Sequence, residues 1–183
     1  MAKKTPEQIA DEEERTSSLG LLRYAHDYQR AADMVKQQDD RSVVPYMLIA
    51  QSLELGLKAF LRSRGATLDA LLKLNHDLPR IHERAMEMRL DRLWPSAANL
   101  LPTVQLLEAA NQRQALRYIV NGTKTYPDWT VVNRYAQGMI AALIEHCLRD
   151  KFGGKAGAAE VRRNRGAGNV FPKPVPRKTW GGL

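Results

Sequence analysis

Cysteine is almost absent from this chain of 183 residues, which contains only Cys147. A single cysteine cannot form an intrachain disulfide, and zinc sites built from several thiolates are excluded as well. No stretch reaches the ~18 consecutive apolar residues of a membrane span. The N-terminal MAKKTPEQIADEEER also lacks the apolar centre of a secretion signal. These absences predict a cytoplasmic protein with no membrane contact, in which Cys147 belongs to the core.

Acidic residues are scarce at the C-terminal end, so the net charge of +8 is unevenly distributed. Residues 153–183 contain one acid and seven basic residues, which gives +6 and leaves +2 for residues 1–152. The basic residues are Lys155, Arg162, Arg163, Arg165, Lys173, Arg177 and Lys178. Because this Gly/Pro/Arg-rich tail lacks periodicity, we predict that it is disordered or extended. It is expected to contact nucleic-acid phosphates or a protein partner, or to act only as a solubilising extension.

Alternation of apolar and polar residues with a period of two is missing, whereas apolar residues recur every three or four positions. The pattern predicts an all-α protein, with an antiparallel four- or five-helix bundle over residues 17–152 and an N-terminal helical extension over residues 1–16. Thr5 and Gln8 predict a capping box. The first helix is expected to end near Gln38, with one apolar stripe that includes Ala25 and Tyr28 and a bend or break at residues 17–20.

Five further helices are predicted along the rest of the chain. Their approximate ranges are 43–64, 67–74, 78–91, 96–118 and 129–151. Asp77 and Asp128 are expected to cap the helices that follow them, and Trp94, Trp129 and Tyr135 are expected to be packing residues. The helix at 43–64 is the most apolar and should lie at the centre of the bundle.

This apolar helix also carries a polar arc. At about 100° per residue, Gln51, Glu54, Lys58 and Arg62 lie within an arc of about 80°. In one interpretation the arc faces water, and Glu54 and Lys58 form an ordinary surface ion pair. In the other, Glu54 points into a cleft, where its burial would require a cation from another part of the chain.

Three short motifs together suggest a family. They are SLELGLKAFLRSRG, which contains Glu54 and Lys58; LNHDLPRIHERA, which contains His76 and Asp77; and ALRY, which contains Arg117 and Tyr118. In this order they resemble the HEPN (higher eukaryotes and prokaryotes nucleotide-binding) superfamily, in particular its uncharacterised bacterial branch. That branch has a glycine before the His-Asp pair, where this chain has Asn75.

The resemblance covers roughly residues 17–150 and implies a helical bundle that is often dimeric. Its implied roles are RNA cleavage, nucleotide binding, or a part in anti-phage and toxin systems. It also implies that the six motif residues converge on one cleft that binds a ligand. These are Glu54, Lys58, His76, Asp77, Arg117 and Tyr118. Four of them have structural alternatives: Asp77 as a cap, His76 as a turn residue, and a Glu54–Arg117 ion pair that only fixes helix register.

The signature of the HEPN ribonucleases is missing. Those enzymes carry an arginine followed, after four to six residues, by a histidine, and no arginine precedes any of the four histidines at that separation. The sequence also lacks phosphate-binding glycine loops, the G-x-S-x-G motif and metal-ligand spacings. We therefore predict no catalytic residue, no metal and no cofactor.

Three functional hypotheses remain open. The first is a non-catalytic HEPN-like binding or accessory protein, a homodimer that holds a nucleotide, an RNA or a protein partner. The second is a divergent, metal-independent ribonuclease that uses His76 with Arg117. The third is a structural or regulatory helical oligomer without a ligand.

Overall fold

The computed structural model describes residues 16–111 and 125–165, together with residues 5, 7, 8, 11 and 12. Residues 16–111 and 125–165 contain seven α-helices and two 3₁₀ helices (Leu90–Arg92 and Pro95–Asn99), and no strand. The α-helices are α1 (Ser18–Gln38), α2 (Val44–Ser63), α3 (Leu68–Lys73), α4 (Leu78–Glu87), α5 (Leu101–Asn111), α6 (Trp129–Phe152) and α7 (Gly154–Arg165). The prediction of an all-α fold is confirmed. Within the described ranges, none of the helices combines the length and apolar content that a membrane crossing needs.

Side-chain caps fix where several helices begin. The carboxylates of Asp77 and Asp128 accept the backbone N–H groups of Arg80 and Val131, as predicted for the caps of α4 and α6. Ser17 caps α1 in the same way, so the predicted break near this residue is the start of the helix. The predicted capping box is also present. Gln8 N–H donates to Thr5 Oγ1, and Thr5 N–H donates to Gln8 Oε1.

Helix α2 lies at the centre of the bundle, as its apolar composition predicts. It packs against α1, α4, α5 and α6. Helix α6 runs antiparallel to α1, as shown by the hydrogen bond that Ser18 near the start of α1 donates to Asp150 near the end of α6. Further along the pair, Gln29 Nε2 donates to Asn133 Oδ1 at 2.8 Å.

The core contains the aliphatic faces of these helices, with Cys147 and Trp94 also buried. Trp94 packs edge-on against Tyr135, and Trp129 packs edge-on against Tyr46, so the three aromatic residues predicted as packing residues have that role. The apolar stripe predicted for α1 is confirmed at Leu21, Ala25, Ala32 and Val35, none of which is exposed, but not at Tyr28. Ala25 on that stripe is fully buried, whereas Tyr28 is 37% exposed, because the bundle covers only one flank of the helix.

Two other predictions need correction. A continuous helix over 96–118 was expected, but Pro95–Asn99 is a 3₁₀ helix and α5 begins at Leu101; the part beyond residue 111 lies outside the described residues. The tail was expected to be disordered or extended, yet its first part is helix α7, which packs on α6. Gly157 allows this packing, since a Cβ there would lie 2.6 Å from Arg149 Cα. Residues 166–183 lie outside the described residues.

Candidate functional site

The polar arc of α2 does not face water. None of its four residues is exposed: Glu54 is buried, and Gln51, Lys58 and Arg62 are half-buried. Arg62 Nε donates to the backbone carbonyl of Thr16, and its Nη1 donates to that of Ala66. The interpretation of the arc as a solvated surface is therefore wrong, because neighbouring chain segments cover it.

Glu54 is the centre of a polar cluster at this surface. Its residue is 5% exposed, and its Oε1 lies 2.7 Å from Lys58 Nζ one turn later on α2. His76 Nδ1 approaches both carboxylate oxygens at 3.0 Å. A buried carboxylate requires compensating charge or hydrogen bonds, and Lys58 and His76 supply both. The predicted inward orientation of Glu54 is thus confirmed, with Lys58 and His76 as its observed partners.

The turn before α4 carries His76 to Glu54. Asn75 has φ = 51°, in the left-handed region that glycine and asparagine adopt most readily. Its backbone carbonyl accepts from Lys58 Nζ at 2.6 Å. Lys58 therefore connects the carboxylate of Glu54 to the turn that presents His76. Asn75 therefore occupies a position where a left-handed conformation is used.

His76 differs from Glu54 in its access to solvent. Its side chain is 60% exposed, whereas that of Glu54 is 6% exposed. Because a carboxylate only accepts hydrogen bonds, Nδ1 carries the proton and Nε2 points away from Glu54. This arrangement orients the imidazole and leaves Nε2 free to exchange hydrogen bonds or protons with a ligand. The same contacts also stabilise the turn without any ligand.

Glu108 on α5 belongs to the same cluster and was not predicted. Burial raises the pKa of Glu108, and the nearby carboxylates of Asp77 and Glu54 raise it further. A hydrogen bond from the backbone N–H of Leu78 and the charge of the His76 side chain oppose the shift. Its Oε2 is buried without a hydrogen-bond partner among the described residues. A signal was present in the sequence, because Glu108 follows Leu107 directly and borders the apolar arc of its helix.

The other predicted site residues are less closely associated with the cluster. Asp77 is exposed and caps α4, so its structural alternative is the role observed. Arg117 and Tyr118 lie outside the described residues, and the predicted contact between Glu54 and Arg117 stays a prediction. In the tail, Arg162, Arg163 and Arg165 belong to α7, with Arg163 exposed, whereas Lys173, Arg177 and Lys178 lie outside the described residues.

A second buried polar atom lies near the C-terminal end of α6. His146 packs against Phe60, with 6.1 Å between ring centroids, and its Nε2 is buried without a hydrogen-bond partner in the described part of the chain. Burial lowers the pKa of His146, and the nearby Arg64 lowers it further. Burial likewise raises the pKa of the adjacent Cys147 thiol to about 12. The thiol of Cys147 therefore stays protonated and belongs to the core, as predicted.

In the described ranges, no group of three or more His, Cys, Asp or Glu side chains is placed to hold a metal ion. Comparisons with known proteins add no further constraint on the cluster. No family model, curated protein or solved structure matches the chain.

Proposed function

We propose that this protein is a non-catalytic, HEPN-like accessory protein that binds RNA as a homodimer. In this proposal the Glu54–Lys58–His76 cluster and the basic C-terminal segment both contact the bound strand. A role in a defence or toxin–antitoxin system is part of the same proposal, since it follows from the resemblance.

The observation that carries the proposal is the convergence of two separate motifs on one polar cluster. Glu54 and Lys58 belong to the first motif, and His76 belongs to the second, 22 residues after Glu54. The buried carboxylate holds the imidazole from behind and leaves its outer nitrogen accessible. An oriented imidazole of this kind can donate to, or accept from, a ribose hydroxyl or a phosphate.

The charge of the C-terminal segment favours RNA over a neutral partner. Helix α7 carries Lys155 and three arginines against one acid, Glu160. Cationic side chains that contact phosphates release condensed counterions, so their contribution to affinity falls steeply with salt. The proposed contact is therefore independent of base sequence and sensitive to salt.

A second copy of the chain is proposed to pack on the free flank of α1. The apolar residues on this flank recur at alternating steps of three and four, a spacing that suits packing against another helix. They are Leu21, which also packs partly against the core, and Tyr24, Tyr28, Ala31 and Val35. Tyr24 is 63% exposed in the isolated chain, which is unusual for a large apolar side chain in a regular apolar stripe.

Fluorescence anisotropy with a labelled single-stranded RNA tests the proposal. Wild-type protein is compared at 50 and 200 mM salt with R162Q/R163Q/R165Q and with His76→Ala. We expect the triple variant to bind more weakly and with a shallower salt slope, and His76→Ala to weaken binding at both salt concentrations. Asp69→Ala, in an exposed ion pair with Lys73 on α3, is the matched control. If both the triple variant and His76→Ala bind RNA as tightly as the wild type, the proposal is refuted.

The Glu54–His76 contact itself favours one alternative, a metal-independent ribonuclease. A histidine oriented by a carboxylate is a common general acid or base. Incubation of the labelled RNA with wild-type protein in chelator decides between the two functions. Cleavage products that disappear with His76→Ala would replace the binding proposal with the enzyme. RNA that stays intact at high protein concentration removes the enzyme.

A further inference from the structure

A cleft separate from the Glu54 cluster lies between the end of α2, helix α3 and helix α4. Its volume is about 420 Å³, within the range of pockets that hold small molecules. Its accessible apolar surface comes from both sides of the gap: Ala66 after the end of α2, and Ala70 and Leu74 in α3 and directly after it. Leu61 and Leu71 also line the cleft but are almost completely buried.

Arginines dominate the charge of the rim. Arg64, Arg80 and Arg84 line the cleft together with Glu83 and Glu87. Arg84 and Glu87 neutralise each other, because Arg84 Nη1 lies 2.5 Å from Glu87 Oε2. Arg64 and Arg80 are exposed and have no carboxylate within ion-pair distance among the described residues. Two guanidinium groups against Glu83 leave an excess of one positive charge at the rim.

The apolar surface of the cleft restricts the kind of anion that fits. Leucine, alanine and methionine side chains form this surface, and none of the described lining residues is aromatic. A nucleobase is commonly held by stacking on aromatic rings, which this surface does not offer. An alkyl chain, in contrast, gains affinity from burial against any aliphatic surface.

We propose that this cleft binds an aliphatic organic anion, a medium-chain carboxylate or a comparable alkyl phosphate. The alkyl chain lies against Ala66, Ala70 and Leu74. Arg64 and Arg80 attract the anionic head, and each is able to form charge-assisted hydrogen bonds with it. The site uses none of the side chains assigned to RNA binding, so this proposal does not depend on the proposed function.

Isothermal titration calorimetry with butyrate, hexanoate, octanoate and decanoate, each below its micelle concentration, tests this inference. Burial of each additional methylene is expected to tighten binding by about two- to fourfold until the cleft is full. Arg64→Gln and Arg80→Gln are each expected to weaken octanoate binding by about tenfold. Arg41→Gln, at an exposed arginine in the turn between α1 and α2, should leave it unchanged.

The same samples separate this site from the RNA site. Methyl NMR signals of Leu71 and Leu74 should shift with octanoate, and His76→Ala should bind octanoate like the wild type. Affinity independent of chain length, or unchanged in both Arg64→Gln and Arg80→Gln, would overturn the proposal. Adenosine monophosphate that binds more tightly than octanoate, with the same dependence on Arg64 and Arg80, would overturn the aliphatic assignment.

Discussion

Glu54 and His76 form a contact between a buried carboxylate and an exposed imidazole, with both carboxylate oxygens 3.0 Å from Nδ1. The contact joins the central helix of the bundle to the turn before α4. Lys58 stabilises the same contact, since its ammonium group donates hydrogen bonds to both the carboxylate of Glu54 and the backbone carbonyl of Asn75. The cluster therefore couples the stability of the turn to the orientation of the candidate ligand-binding side chain.

Removal of the buried carboxylate should destabilise the fold strongly. Glu54→Ala leaves the 12% exposed side chain of Lys58 without its counter-charge, and breaking a buried ion pair costs about 3–5 kcal/mol. Urea unfolding followed by circular dichroism measures this loss. Asp69→Ala removes the equivalent i,i+4 partner of Lys73 at the surface, where the expected loss is about 0.5 kcal/mol or less. Similar losses in the two variants would contradict the burial of Glu54.

Helix α7 should detach from α6 when Gly157 is replaced. The Cβ of Gly157→Ala would lie 2.6 Å from Arg149 Cα and 2.8 Å from Leu148 O, and these backbone atoms cannot move aside easily. Hydrogen exchange with mass spectrometry should show faster exchange over residues 154–165. Gly154→Ala meets no atom within 4 Å and serves as the control. Equal protection of α7 in both variants would show that the helix does not pack as described.

Stability should fall as the pH drops below 6.5. Burial lowers the pKa of both His146 and His26 in the folded state, so the unfolded chain binds more protons at acidic pH. The contribution of the neutral histidines to the free energy of unfolding is therefore fully present above pH 6.5. Below that pH the free energy of unfolding decreases, by at most about 1.4 kcal/mol per pH unit for each histidine. Urea unfolding at pH 7.5 and 5.5 measures this, and His146→Leu should reduce the difference. A difference unchanged by that substitution would exclude His146 as a source.

The single cysteine should report unfolding. Cys147 is fully buried, and burial raises the pKa of its thiol to about 12, so little thiolate exists at pH 8. Iodoacetamide at that pH should leave the native protein unmodified and label it completely in urea. Mass spectrometry gives the labelled fraction. Labelling of the native protein at the rate of a free thiol would contradict this burial.

Substitution on the free flank of α1 should disrupt the proposed dimer. Tyr24→Glu places a charge in the apolar stripe without touching the core, since Tyr24 is 63% exposed. Light scattering after size-exclusion chromatography should change from dimer to monomer. Met34→Glu is a matched control, because Met34 is 60% exposed on another side of the helix. A dimer that persists in Tyr24→Glu would place the interface elsewhere.

Much of the fold could be predicted because helix signals are local. Asp77, Asp128 and Thr5 cap helices through contacts within three residues, which a sequence pattern records directly. The helix at Gly154–Arg165 could not be predicted in this way. Its glycines disfavour an isolated helix, and tertiary packing against α6 overrides that preference.

The candidate site was only partly predictable for a related reason. Periodicity places Glu54 and Lys58 on one arc of a helix, but it does not say which segment covers the arc. The cover comes from the turn at Asn75 and His76, whose approach depends on tertiary structure. Glu108 was missed because a charged residue beside an apolar arc is compatible with either a solvated or a buried position.

The most direct test of the account is the response of the His76 imidazole to RNA. Two-dimensional ¹⁵N NMR of the histidine rings separates His76 from His82, whose ring is buried and bonded to the carbonyl of Ala97. We expect the His76 Nε2 signal to shift in a saturable way as single-stranded RNA is added, while the His82 signals do not move. RNA that binds with no change at His76 would contradict the assignment of the Glu54–His76 cluster as a binding site.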